Sequence, residues 1–194
     1  MLSDIFSCGK WPPKVTPTCA CGEPTDPLCS HFLKCKLGGE WITRHDSLVH
    51  VIATLSKASG FLVQQELPLS LLSPPSPNPS SGRMDLVVSS GDFQTNILAD
   101  VTITRAFPSS TSPITPPLDS PLHFSKIKEA SKRTKYNAAA QSTGATIYPL
   151  AIETYGAAGP AFHSYLNLCA NNYLQKLFLS HPTREELHKS VMRS

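Results

Sequence analysis

No stretch of the chain approaches the roughly 20 consecutive apolar residues that a bilayer-spanning helix needs, so no membrane span is expected. The segment from Met1 to Pro13 has neither the basic start nor the apolar run of a secretory signal. That points to an intracellular, reducing setting, in which clustered cysteines bind metal more often than they pair. Charged residues make up only 16% of the chain against 40% apolar, which excludes a disordered acidic or basic tail. The net charge of +3 is compatible with a phosphate-rich partner but too small to argue for one. No internal repeat is visible, and His50, His123, His163, His181 and His188 fall at no spacing that suggests a shared site.

What the chain does have is proline and cysteine in clusters. Its 194 residues leave room for one domain with a real core plus a small appendage. Residues 1–40, rich in Cys, Pro and Gly, read as a loop-rich module stapled by metal; this abrupt start reads as the end of a longer polyprotein. Gly38-Gly39 punctuates the chain. From Thr43 a helix is expected, with Leu48, Val51, Ile52 and Leu55 on its apolar stripe and Gly60 as its stop. Phe61 to Leu67 reads as a strand. Segments 83–89 and 96–106, joined by Ser90-Gly91-Asp92, read as an antiparallel hairpin.

Proline- and serine-rich loops are expected at 69–82 and 108–121. A basic helix is expected at about 124–141, and Ala145–Glu153 as a strand whose proline disfavours a central position. A long helix then carries Phe162, Tyr165, Leu166, Cys169, Tyr173 and Leu177 on a core stripe, and Arg184 to Met192 reads as a last short helix. This order predicts an α/β fold with a small mixed sheet flanked by helices. The main domain runs from 41 to 180, and 181–194 form a tail.

Within the first module the spacing is Cys19-x-Cys21-x9-His31-x3-Cys35. Three thiolates and one imidazole satisfy tetrahedral Zn2+ in a closed, structural site, and metal binding would supply folding free energy to a module too small for a core. Cys29 is a competing ligand. A disulfide or free buried thiols are the competing chemistries. Cys8 and Cys169 read as ordinary free cysteines.

The hairpin carries one acid on each strand, Asp85 at the start of the first and Asp100 midway along the second. Period-two geometry sets Met84, Leu86 and Val88 opposite Asp85 and Val87, and gives Asp100, Thr102 and Thr104 a common face. An acid inside an apolar strand is costly unless paired or metal-bound. Two such carboxylates can hold Mg2+ (or Mn2+), which activates water and neutralises developing charge on phosphate. Lys128, Lys132 and Lys135 follow at i, i+4 and i+7, so one helix face can supply an ammonium to that charge, or be a solvated basic face. Tyr136 can hydrogen-bond phosphate or cap the core. Glu66 is a candidate third acid or an exposed edge residue. Arg44-His45-Asp46 opens the first helix, with Asp46 favouring its positive end and Arg44 and His45 as phosphate contacts or as ordinary cap residues.

The order Cys-x-Cys, His-x3-Cys, Gly-Gly, Arg44-His45-Asp46, Arg83-x-Asp85, Asp100-Val-Thr and Lys132-x-x-Lys135-Tyr136 resembles one family. It is that of the restriction-like endonuclease domain at the C-terminal end of certain non-LTR retrotransposon polyproteins, a branch of the PD-(D/E)XK nucleases preceded by a CCHC zinc knuckle. The resemblance covers residues 19–155. It implies a restriction-endonuclease-like core at 41–180 and a metal-dependent nick in DNA, whose 3′-hydroxyl primes reverse transcription. Asp85 and Asp100 then bind the catalytic metal, with Lys132, Lys135, Glu66 and Tyr136 as further catalytic candidates and Arg44, His45, Lys128 and Arg133 as DNA contacts. Met84 stands where the family has proline, and Thr102 where its simplest pattern has lysine, which moves the expected lysine onto the helix. The chain contains no polymerase, so a reverse transcriptase or its RNA template is an expected partner, and the nucleus the expected compartment. An inactive, zinc-stabilised domain that binds nucleic acid or another partner is the alternative.

Overall fold

The computed structural model describes residues 18–24, 31, 35, 37–72, 82–91, 95–104 and 121–180. The chain divides into two compact units, Met1–Ser47 and Leu48–Ser194. Their boundary falls inside the first helix, α1 (Glu40–Ala58), which follows a 3-10 turn at Leu37–Gly39. The helix therefore begins three residues before the expected Thr43, and Glu40 rather than Asp46 is the acid in its first turn.

The larger unit is α/β. Its four strands are β1 (Leu62–Pro68), β2 (Arg83–Ser89), β3 (Asn96–Thr104) and β4 (Thr146–Glu153), in the order β1-β2-β3-β4. β1, β2 and β3 pair antiparallel; β4 lies parallel to β3, reached through α2 (His123–Thr143). The last helix is α3 (Pro160–Ser180). A parallel neighbour requires such a crossover, whereas the β2–β3 pair needs only a turn. The sheet is mixed and flanked by helices, as the pattern of elements predicts. Pro149 costs little because β4 is an edge strand. The outer side of β4 is met by the segment leading into α3. There Glu153 N–H donates to Ala157 O at 2.8 Å, Gly159 N–H donates to Ala151 O at 2.8 Å, and Ile152 bridges Ala158.

Both faces of the sheet are covered. On one, Val49, Ile52 and Ala53 of α1 and Phe162, Tyr165 and Cys169 of α3 pack on Leu86, Val88, Ile97, Ala99, Val101 and Leu150. On the other, Tyr136, Ala139 and Ala140 of α2 pack on Met84 and Leu98 with Leu69 and Leu72. This is why β3 is almost continuously buried and does not alternate.

Three expectations change. The buried stripe of α1 is Val49, Ile52, Ala53 and Ser56, with Val51 61% and Leu55 39% exposed. On that stripe the Ser56 hydroxyl meets the Tyr165 hydroxyl at 2.5 Å, a contact that a bulky side chain at position 56 would prevent. The α3 stripe holds from Phe162 to Cys169, but Tyr173 is exposed. The segment after Pro68 is not loop from its start: Leu69–Leu71 form a 3-10 turn, and buried Leu69 and Leu72 lie under α2, where the Ser142 hydroxyl donates to Leu72 O. The expected helix at 184–192 and most of the loop at 108–121 lie outside the described residues.

A fourth difference bears on the site. Met84 and Leu86 do not share a face: Met84 packs under α2, Leu86 against α1 and α3. In β1, Val63 and Leu67 divide in the same way. Both strands change face at one rung, where Glu66 has the left-handed φ of 57° and Asp85 lies opposite.

Candidate functional site

Two groups of charged and ligating side chains stand out, one in each unit. In the smaller unit, Thr18 and Pro24 form an isolated antiparallel bridge. Inside it Cys19 N–H donates to Glu23 O at 2.9 Å and Gly22 N–H donates to Cys19 O at 2.8 Å. The turn requires glycine at position 22, where φ is 89°. It presents Cys19 and Cys21 together, and His31 and Cys35 complete the group.

Cys19 Sγ lies 3.6 Å from Cys35 Sγ, and Cys21 Sγ 3.2 Å from His31 Nε2. All four ligand atoms lie within 4.8 Å of one another. A tetrahedral ion with Zn–S bonds of about 2.3 Å and a Zn–N bond of about 2.0 Å has ligand–ligand edges of roughly 3.5–3.8 Å. A disulfide needs its sulfurs at about 2.05 Å, and Cys19, Cys21 and Cys35 are free thiols. The group can therefore hold a metal ion such as zinc. The backbone N–H of Cys21, helped by the His31, Cys21 and Cys35 side chains, lowers the Cys19 thiol to about 7 against some desolvation, which favours the ligating thiolate. At Cys35 a hydrogen bond from Leu37 N–H also favours thiolate, but desolvation and the Cys19 and Cys21 sulfurs outweigh it, and the thiol is pushed up. Cys8 and Cys29 lie outside the described residues.

The second group centres on Asp100, on the α2 side of β3 and only 3% exposed. The paired register of β2 and β3 runs from Ser89↔Asn96 to Leu86↔Ala99. Just beyond that last rung, Asp85 Oδ2 accepts the backbone N–H of Val101 at 2.7 Å. A carboxylate thus takes a main-chain donor of β3 where the ladder opens, and both acids come to the same stretch of that strand.

Asp100 itself is held from α2. Lys132 Nζ lies 2.8 Å from its Oδ2 and 3.1 Å from its Oδ1, and the Tyr136 hydroxyl donates to Oδ1 at 2.5 Å. The Thr102 hydroxyl donates to Oδ2 at 3.2 Å. The spacing of four residues between Lys132 and Tyr136 places both on the sheet-facing side of α2, with Ser125, Glu129 and Ala139. Lys135 stands outside them: its Nζ donates to the Tyr136 hydroxyl at 3.0 Å and lies 4.7 Å from the ring centroid. Burial, then the hydrogen bond to Asp100 and the charges of Asp100 and Asp85, drive the Tyr136 phenol well above its ordinary value. It therefore stays protonated as a donor to Asp100 and is no general base.

The other predicted residues are arranged less closely. Glu66 pairs with Arg83 at 3.2 Å on the surface. Lys128 is exposed on α2, while Arg133 donates to Ile147 O at 3.2 Å and ties the helix to β4. Arg44 and His45 belong to the smaller unit, where His45 Nδ1 lies 3.1 Å from Asp46 Oδ1.

Two buried acids that the sequence does not single out hold the helices in place. The first residues of α2 follow Leu122, which caps nothing with its side chain; Glu153 instead accepts from the Ser125 hydroxyl at 3.1 Å and from its N–H at 3.4 Å. Glu129 accepts Ala161 N–H at 3.0 Å at the start of α3. A Cβ on Gly159 would stand 2.1 Å from Glu129 Oε1, so only glycine admits this carboxylate. Such anionic caps suit the positive ends of helices. Burial raises the Glu129 pKa, against the opposing pull of the Ala161 N–H and of Arg133.

Compared with known protein families and with the curated proteins, the chain matches none. No helix among the described residues is long and apolar enough to cross a membrane.

Proposed function

We propose that the chain is a metal-dependent DNA endonuclease domain of retrotransposon type, with a restriction-endonuclease-like core centred on Asp85, Asp100 and Lys132 and a zinc ion on Cys19, Cys21, His31 and Cys35. The observation that carries this reading is the contact of Lys132 with Asp100 on β3, beside which Asp85 of β2 accepts the Val101 N–H. Two carboxylates and one ammonium on a rigid sheet–helix interface are the minimal set for phosphodiester hydrolysis. Carboxylate oxygens are hard donors suited to Mg2+ or Mn2+. A bound ion of that kind supplies an activated water and offsets charge on the scissile phosphate.

In this reading Tyr136 and Thr102 fix the orientation of Asp100, and the Val101 N–H fixes that of Asp85. Lys132 provides the cation nearest the reacting phosphate, and Lys135 carries positive charge to the edge of the site. Lys128, Arg133, Arg44 and His45 contact the DNA backbone. Glu66, paired with Arg83 at the strand kink, is a third acid at the margin. The partners in this reading are DNA and a reverse transcriptase or its RNA template, and the place of action is the nucleus.

The test is nicking of supercoiled plasmid by the zinc-loaded chain with and without Mg2+. Nicking should require the ion and fall by at least about 100-fold in Asp100→Ala, the scale of losing a main electrostatic group; Asp85→Ala should fall similarly. Undiminished nicking by pure Asp100→Ala protein would refute the assignment. Salt-sensitive DNA binding without cleavage, surviving loss of both aspartates, would assign the inactive binding module instead.

A further inference from the structure

An ionised carboxylate has about four lone-pair sites, and at Asp100 all of them are taken. Lys132 contacts both oxygens, Tyr136 contacts Oδ1 and Thr102 contacts Oδ2. A divalent ion can join this carboxylate only by displacing one of these donors. Three observations decide which. Tyr136 is 2% exposed and its ring is locked between sheet and helix, so it does not leave. The Thr102 hydroxyl is neutral, and moving it would leave an ammonium beside the incoming ion. Lys132 is the charged competitor, sits on a flexible four-carbon stem and has 25% of its side chain open to solvent.

We infer that the Lys132 ammonium and a divalent metal ion are alternative counterions of Asp100: ion binding expels the lysine from the carboxylate and frees it to face the phosphate. This inference rests on the proposed metal role of Asp100. Lys132 then has two positions in turn. It holds the acid's charge before the metal arrives, sparing the buried Asp100 an unpaired charge, and becomes a phosphate ligand afterwards. The same residue that serves cleavage thereby weakens metal binding, so ion affinity and cleavage rate should respond to Lys132 in opposite directions.

The experiment is a Mn2+ titration of the zinc-loaded full chain, followed by electron paramagnetic resonance of the free ion, with no DNA present. Lys132→Met should bind Mn2+ at least about tenfold more tightly than the unmodified chain, because a positive charge within a few ångströms of the ion has gone. Lys132→Arg, which keeps the charge, should not gain affinity. In the unmodified chain, acylation of the Lys132 amine read by mass spectrometry should rise on adding Mn2+, with Lys128 as the internal standard. Equal or weaker Mn2+ binding by folded Lys132→Met, or labelling unchanged at saturating Mn2+, overturns the inference. Should Lys132→Met fail to fold, the labelling of the unmodified chain decides alone. Asp100→Asn separates the two claims. If it abolishes Mn2+ binding while Lys132→Met leaves it unchanged, the metal role stands and the exchange falls. If no variant and no unmodified chain binds Mn2+, both fall.

Discussion

In the smaller unit four ligand atoms converge, and among its described residues His31 alone is buried. At Asp100 the charged groups project from a sheet covered on both faces, and each acceptor site of the acid already has a donor. The contrast separates two uses of a metal. Where the described residues bury so little, a bound ion would supply free energy that orders the chain. Where the core already positions the side chains, order would not depend on an ion, and under the proposed exchange an ion would compete with Lys132 for Asp100.

The contrast breaks most readily at the Cys/His group. Chelation, or Cys35→Ser, should remove bound zinc and with it the metal-binding free energy, about 10 kcal/mol or more for sites of this kind. Hydrogen exchange should then show the Cys19 and Gly22 amides losing protection. The unfolding free energy of the Leu48–Ser194 unit should change by no more than about 0.5 kcal/mol, the usual additivity error for energetically independent sites. A collapse of both units together would end the distinction.

The converse perturbation is Leu150→Ala, which truncates a fully buried side chain at the centre of the larger core. It should cost about 2–5 kcal/mol in denaturant unfolding and leave zinc stoichiometry untouched. Glu129 sharpens the comparison at the smallest scale. Glu129→Ala strands the Ala161 N–H and should cost about 1–3 kcal/mol. Glu129→Gln keeps an acceptor and mimics the protonated acid. Because the folded pKa of Glu129 is raised, folding favours its neutral form, so ionisation weakens the fold as pH rises through that value. The Gln variant should therefore be more stable than the unmodified protein at neutral pH. That margin should vanish on acidification, once Glu129 itself takes up a proton.

What the sequence made legible was local. The strand Arg83–Ser89 and the helix ending before Gly144 follow from period and stop signals over a few positions. The four-residue step from Lys132 to Tyr136 likewise places both on one helix side. The hydrogen bonds on Asp100 were not legible, because they depend on how α2 docks over β3, 32 and 36 residues away in sequence. The same holds for Glu129 and Glu153, whose capping partners lie 32 and 28 residues away and carry no local signature. Val51 and Leu55 misled for a related reason: the apolar stripe of α1 overlaps the one through Val49, Ile52, Ala53 and Ser56, and packing on strands and α3 far away in sequence selects between them. The face change at Glu66 and Asp85 was invisible to a strict two-residue period.

That kink, with Pro149 and the segment 157–159, also shapes the two borders of the sheet. A sheet with open borders invites another chain to add a strand. On one border β4 has no donor at Pro149 and is occupied from Ala151 to Glu153 by the chain's own backbone. On the other, β1 is bent by the left-handed Glu66, carries the exposed Glu66–Arg83 charge pair and ends in Pro68. Among the described residues neither border offers a long, flat template for an added strand.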